Sequence, residues 1–103
     1  FKYIEEVGNV LNDIQSAIVC TPTQTHYKIV HYFLNNNINV LVEKPLATNS
    51  KDAQELLDKA SKKKLVLLVD HPFLYNSSVK YLKKLIESDE LGNIVHLSFE
   101  RTN

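Results

Sequence analysis

Three short apolar runs punctuate this chain: Ala17-Ile18-Val19-Cys20, Asn39-Val40-Leu41-Val42 and Leu65-Val66-Leu67-Leu68-Val69. None of them alternates with polar residues. A strand with one wet face alternates, whereas a continuous run reads as a strand buried on both faces, the habit of parallel sheets. The segments between the runs have a different period. From about Thr25 to Asn35, the residues Ile29, Val30, Phe33 and Leu34 share one helical face, and Asn35-Asn36-Asn37 makes a stop. Ala53, Leu56, Leu57 and Ala60 form a second stripe, with Thr48 or Asn49 as its cap and Lys62-Lys63-Lys64 at its C-terminal end, where cations complement the helix dipole. Strand, helix, strand, helix, strand, joined by a few residues each, predicts parallel strands with right-handed crossovers, the doubly wound α/β class.

The flanks follow less regularly. Phe1 to Asn12 has roughly helical spacing, weakened by Gly8. Asp70 to Tyr75 reads as a loop. A helix capped by Asn76 or Ser77 follows, with Val79, Leu82, Leu85 and Ile86 inward, ending near Leu91-Gly92-Asn93. Ile94 to Phe99 alternates, which predicts a strand buried on one side, and so a change of sheet or domain near residue 70. The chain starts without methionine and ends just after that segment, so both ends look cut.

Composition removes several function classes. Twelve basic residues balance twelve acidic ones, giving no field to attract nucleic acid or an anionic membrane. Arg101 is the only arginine, against an arginine-rich phosphate-reading surface. Cys20 is the only cysteine; at the end of a buried strand it is expected to be inert core, and no intrachain disulfide is possible. No apolar run reaches the roughly 18 residues of a membrane span. A cytoplasmic protein is expected. His26 and His31 lie off one helical face, and no set of ligands has zinc spacing, so no metal is expected.

Ligands of open α/β sheets bind beyond the carboxyl ends of the strands. Thr21 to His26, Glu43 to Leu46 and Asp70 to Tyr75 fall there. Glu43 can accept hydrogen bonds from vicinal hydroxyls, Lys44 can donate to a hydroxyl or carbonyl oxygen and stabilise charge developing on it, and Pro45 fixes the backbone between them. The competing reading is a solvated loop with an incidental ion pair. Pro22 restricts the first turn, and His26 either hydrogen-bonds a ligand or packs while Thr25 caps the helix. Asp70-His71 suggests an acid–base pair, but adjacent side chains at a strand end point apart, leaving substrate contact as the better role for His71. Ser77-Ser78 is read as a cap, with no base beside it.

These residues carry a resemblance. Ala17 to Pro22 followed by His26, then Val40 to Ala47 with Glu43-Lys44-Pro45-Leu46, then Leu91-Gly92-Asn93-Ile94, resemble in order and spacing the family of glucose–fructose oxidoreductase, inositol dehydrogenase and rhizopine-catabolism proteins (Gfo/Idh/MocA). The resemblance implies an N-terminal Rossmann domain binding NAD or NADP and a second α/β domain built on a mainly antiparallel sheet. Residues 1–70 would be the latter half of the first, and residues 71–103 the start of the second. It implies an oxidoreductase moving hydride between nicotinamide and a hydroxyl of a sugar, nucleotide-sugar or cyclitol, working as a homo-oligomer. Thr21, Pro22 and His26 would line the nicotinamide side, Glu43 would contact the ribose, and Lys44, with Pro45 beside it, would contact both ribose and substrate hydroxyl as the catalytic residue. His71, Tyr75, Arg101 and Asn103 would lie on the substrate side. Leu74 stands before Tyr75 where many members have arginine, a pattern nearer the branch acting on nucleotide-linked or aminated sugars.

The chain departs from the family in what it lacks. Its two glycines, Gly8 and Gly92, form no Gly-x-Gly-x-x-Gly loop to cradle a pyrophosphate. The downstream Asp-x-x-x-His segment that supplies the acid–base pair is also missing. The 103 residues alone are therefore expected to bind dinucleotide negligibly and to turn nothing over. Two further readings stand beside the oxidoreductase: a truncated non-catalytic relative acting as an assembly module, and a generic flavodoxin-like regulator.

Overall fold

A computed structural model describes residues 11–100. The chain divides into two compact units, Phe1–Asp70 and His71–Asn103. In the first, a 3₁₀ turn at Leu11–Asp13 leads into β1 (Ser16–Val19), α1 (Thr23–Asn35), β2 (Asn39–Glu43), α2 (Ser50–Lys63) and β3 (Leu67–Asp70). The strands form one parallel sheet in the order β1-β2-β3. Its register sets Val19 beside Val42 and Val42 beside Val69, and it ends with Glu43 beside Asp70. Of the first expected helix, residues 1–10 lie outside the described residues, and the remainder belongs to the 3₁₀ turn.

Asn39 holds the amino ends of the strands together. Its side-chain nitrogen donates to the Gln15 carbonyl at 3.0 Å, and its side-chain oxygen accepts from the Val66 amide at 2.9 Å. α1 and α2 contact one another, so both crossovers lie on one face, as their fixed hand requires when the strand order runs one way. That face holds the core, with Val19, Val40 and Val42 from the sheet, Val30, Phe33, Leu34, Leu56 and Ala60 from the helices, and Ile38 and Leu46 from the loops, all buried.

The opposite face corrects the expectation of burial on both sides. Ile18 is 71% exposed and Leu68 is 58% exposed. With Leu41 and Val66 they line a shallow apolar hollow of about 280 Å³. Both sequence stripes sit on helices that cover a single face, so no described helix of the first unit lies over the other.

Each helix ends for a local reason. After α1, the Asn37 amide donates to the Leu34 carbonyl and the Ile38 amide to the Phe33 carbonyl, with Asn37 at φ 60°. This is the paired closure in which asparagine tolerates the left-handed position and the flanking apolar residues, here Phe33 and Ile38, touch. α2 closes the same way, with Leu65 bonded to Ala60 and Lys64 at φ 56°. The Lys63 ammonium reaches back to the Asn35 carbonyl at 2.7 Å, satisfying an orphan at the negative end of α1. Asn49, not Thr48, caps α2 by accepting from the Asp52 amide at 2.9 Å.

In the second unit, a 3₁₀ turn at Pro72–Tyr75 replaces the expected loop and precedes α3 (Ser77–Glu87). Asn76 caps α3 by accepting from the amides of Ser78 and Val79. The helix stops four residues before Leu91, and none of its side chains is buried. The strand expected over Ile94–Phe99 does not form: Val95 is 95% exposed. Alternation alone cannot make a strand, because the ladder needs a partner and no described segment pairs with this one.

The asymmetry of the sheet gives a contrast. Leu56→Ala should cost about 2–5 kcal/mol in urea unfolding, since Leu56 is fully buried in the core. Leu68→Thr on the open face should change stability by no more than about 0.5 kcal/mol.

Candidate functional site

The carboxyl ends of β1 and β2 bring two of the expected segments together. Thr21 and Pro22 form the loop that follows β1, and Glu43-Lys44-Pro45-Leu46 continues β2. Leu46 turns into the core and is buried, which anchors the second loop and leaves Lys44 and Pro45 outside. The Lys44-Pro45 peptide bond is cis. Glu43 is half-buried, and its Oε2 accepts from the Lys44 amide at 3.3 Å. The Lys44 side chain is exposed, and among the described residues its ammonium has neither an ion-pair nor a hydrogen-bond partner. The incidental Glu43–Lys44 ion pair weighed as the competing reading does not form.

At the start of α1 the threonines behave differently from the expectation. Pro22 occupies the capping position, and no side chain caps the helix. The Thr25 hydroxyl lies 2.7 Å from the Pro22 carbonyl and 2.7 Å from the Thr21 hydroxyl. One proton each satisfies this chain when Thr21 donates to Thr25 and Thr25 donates to Pro22. Thr21 then keeps lone pairs toward solvent.

His26 turns inward. The ring is 1% exposed, on the stripe that continues through Val30 and Phe33. Its Nδ1 lies 2.8 Å from the Pro45 carbonyl oxygen and its Nε2 lies 2.7 Å from the Thr21 carbonyl oxygen. Both ring nitrogens therefore meet backbone of the two strand-end loops, and neither is turned outward. Cys20, expected as inert core, is exposed and lies outside β1, because the strand ends one residue earlier than the apolar run.

The parallel register adds Asp70, which the sequence reading paired with His71. Asp70 stands beside Glu43 at the sheet's carboxyl edge, and both are half-buried. Counting residues along parallel strands is the signal that would have found this neighbour. His71 and Tyr75 belong to the second unit. Both are exposed; the His71 carbonyl accepts from the Leu74 amide, and the Lys80 ammonium sits 5.8 Å from the centre of the Tyr75 ring. Arg101 and Asn103 lie outside the described residues.

Away from the strand ends, the outer seam between α1 and α2 is polar. The Lys59 ammonium donates to His31 Nε2 at 2.6 Å and to the Asn35 side-chain oxygen at 2.9 Å. Hydrogen bonding to Glu55, then burial and the charges of Glu55 and Asp52, hold the Tyr27 phenol above its ordinary range. A shallow hollow runs along this outer side of α2, between side chains such as Lys51, Glu55, Asp58 and Lys62. These are charged groups of an exposed helix face, so the candidate site is taken at the strand ends. No three His, Cys, Asp or Glu side chains among the described residues converge as metal ligands, and no described helix is long and apolar enough to cross a membrane.

Exposure separates the roles of two residues. Lys44→Ala should leave the unfolding midpoint nearly unchanged, within about 0.5 kcal/mol, since it removes no packed contact. His26→Ala should cost about 2 kcal/mol or more, because it strands two carbonyls and empties a buried site.

The profile of the GFO/IDH/MocA group, described as an oxidoreductase family with an NAD-binding Rossmann fold, matches residues 1–71. The 4-carboxy-2-hydroxymuconate-6-semialdehyde dehydrogenase of a Sphingobium species is 35% identical over 81 residues, 79% of this chain and 26% of that protein. The UDP-N-acetylglucosamine 3-dehydrogenase of Acidithiobacillus ferrooxidans is 26% identical over 78 residues, 76% of this chain and 25% of that protein. Its solved structure superposes with a TM-score of 0.70. The myo-inositol 2-dehydrogenase of Lactobacillus plantarum, 20% identical, superposes with a TM-score of 0.78 over 92% of this chain and 28% of its own, a likeness of fold. The chain spans about a quarter of the length of the curated relatives it matches, 26% and 25% in these two cases. With its parallel sheet, its strand-end Glu43-Lys44-Pro45 loop and a profile match across the whole first unit, the chain belongs to the GFO/IDH/MocA oxidoreductase family.

Proposed function

We propose that this chain supplies the nicotinamide-ribose side of a dinucleotide site, and Lys44 as the catalytic ammonium, in an NAD- or NADP-dependent dehydrogenase acting on a sugar, nucleotide-sugar or cyclitol hydroxyl. The observation that carries the reading is the unpartnered Lys44 ammonium, exposed at the mouth of the central strand beside the half-buried Glu43. The half-buried Glu43 before it and the buried Leu46 two residues after it fix the backbone at Lys44 and leave its ammonium un-neutralised.

The described residues suit one half of a dinucleotide. Glu43 retains a carboxylate oxygen to accept from ribose hydroxyls, and Thr21, Pro22 and Pro45 wall the same edge. The pyrophosphate half has no counterpart, since Gly92 is the one glycine among the described residues and it lies in the second unit. When bound, nicotinamide supplies the hydride acceptor or donor. Lys44 donates a hydrogen bond to the substrate oxygen and offsets the negative charge that grows on it, an effect concentrated where water is excluded. His71, Tyr75 and Arg101 remain proposed substrate contacts. The relatives whose names specify sugars support the hydroxyl class, and the semialdehyde dehydrogenase marks how widely the family's substrates range. We further propose that the working protein is a cytoplasmic homo-oligomer.

The assembly-module reading is favoured by one observation, the open apolar face of Ile18, Leu41, Val66 and Leu68. That face explains association but not a free ammonium at the strand mouth, so the oxidoreductase reading ranks first.

The test is hydride transfer, followed by nicotinamide absorbance against a panel of sugars, nucleotide-sugars and cyclitols, in a polypeptide that joins this segment to a phosphate-binding loop. Lys44→Met should lower kcat by about a hundredfold or more while changing cofactor affinity only a few-fold. Equal turnover in the two proteins would remove Lys44 from the mechanism.

A further inference from the structure

The environment of His26 poses a problem of proton count. Both ring nitrogens lie within 2.8 Å of backbone carbonyl oxygens, at Thr21 and Pro45, and a carbonyl oxygen can only accept. A neutral imidazole has one N–H. Its bare nitrogen would press a lone pair against whichever carbonyl it did not serve, in a site closed to water. Turning the ring over would set carbons Cδ2 and Cε1 against the two carbonyls and forfeit both hydrogen bonds. Only the doubly protonated ring matches two acceptors.

We propose that His26 is a positioning residue: as a buried imidazolium it donates one N–H to the Thr21 carbonyl and the other to the Pro45 carbonyl, clamping the loop after β1 to the loop that carries Glu43 and Lys44.

Two effects oppose a cation here. Burial disfavours charge, and the first turn of α1 presents the positive end of its dipole. Two effects favour it. The separations of 2.8 and 2.7 Å fall in the range of charge-assisted hydrogen bonds. The carbonyls also have little alternative: Pro22 and Pro45 bring no N–H into these loops, and neither oxygen belongs to the sheet ladder. The titratable side chains of the segments that meet at the ring are Cys20 after β1, Glu43 and Lys44 after β2, and Tyr27 and Lys28 on α1. None of them is hydrogen-bonded or ion-paired to the ring among the described residues. The charge is thus met by backbone dipoles alone.

The consequence for the site is direct. The Pro45 carbonyl follows Lys44 by one residue, so the clamp sets the path of the backbone from which Lys44 and Glu43 project. Only this consequence rests on the role proposed for Lys44; the clamp itself does not.

Nuclear magnetic resonance of the 103-residue chain with labelled histidine tests it without cofactor. At about pH 7 the His26 ring should show two slowly exchanging N–H protons, with couplings across the hydrogen bonds to the Thr21 and Pro45 carbonyl carbons. Raising the pH until the second proton leaves should shift the amides of Lys44 and Leu46, while that of Leu56 in α2 stays still. One bare ring nitrogen at neutral pH, or loss of the second proton with no response at Lys44 and Leu46, would overturn the proposal. Confirmation of the clamp in a protein that transfers no hydride would remove the proposed function and leave the clamp standing.

Discussion

The parallel ladder on either side of β2 is the constraint from which the rest follows. β2 is hydrogen-bonded to both β1 and β3, and in-register parallel pairing carries the three strands to a common carboxyl edge. Loops that are far apart in sequence therefore emerge side by side. Thr21 and Pro45 are close enough for one imidazole to bridge them because the strands below them end at the same level. The same register sets Glu43 beside Asp70, two carboxylates whose proximity no local pattern announces.

The helices serve that edge indirectly. Burying Leu34 and Leu56 against Val40 and Val42 fixes one face of the sheet, and Leu46 extends the packing beneath the loop that bears Lys44. The site is built from a rigid floor and a polar rim, so the ammonium can be exposed without being mobile in its backbone. The Schellman closures after α1 and α2 then return the chain to the sheet within a few residues, at the cost of left-handed backbone at Asn37 and Lys64.

Much of this was legible in the residues. Runs such as Leu67-Leu68-Val69, with helical stripes between them, give the strand and helix order, since apolar periodicity is what burial requires. The position of Glu43-Lys44-Pro45 at a strand mouth was legible for the same reason. What failed has physical causes. The continuous runs implied two buried faces, but Ile18 and Leu68 face away from both crossovers, and burial depends on what lies opposite, which no local pattern encodes. Ile94 to Phe99 had the right alternation and no partner. Cys20 extended an apolar run beyond the last ladder position. His26 was readable in two ways, because it sits both in a strand-end motif and on the inner stripe with Val30 and Phe33. Only the positions of two carbonyls reveal that its nitrogens work between the loops.

The central claim is that the carboxyl edge of this sheet, with Lys44 at its middle, is where a nicotinamide meets its substrate. A structure of a polypeptide carrying this segment with nicotinamide dinucleotide bound measures that directly. The account predicts the Lys44 ammonium within hydrogen-bonding reach of the nicotinamide ribose and a Glu43 carboxylate oxygen on the same cofactor. A dinucleotide seated elsewhere, with Lys44 left in solvent, would contradict it.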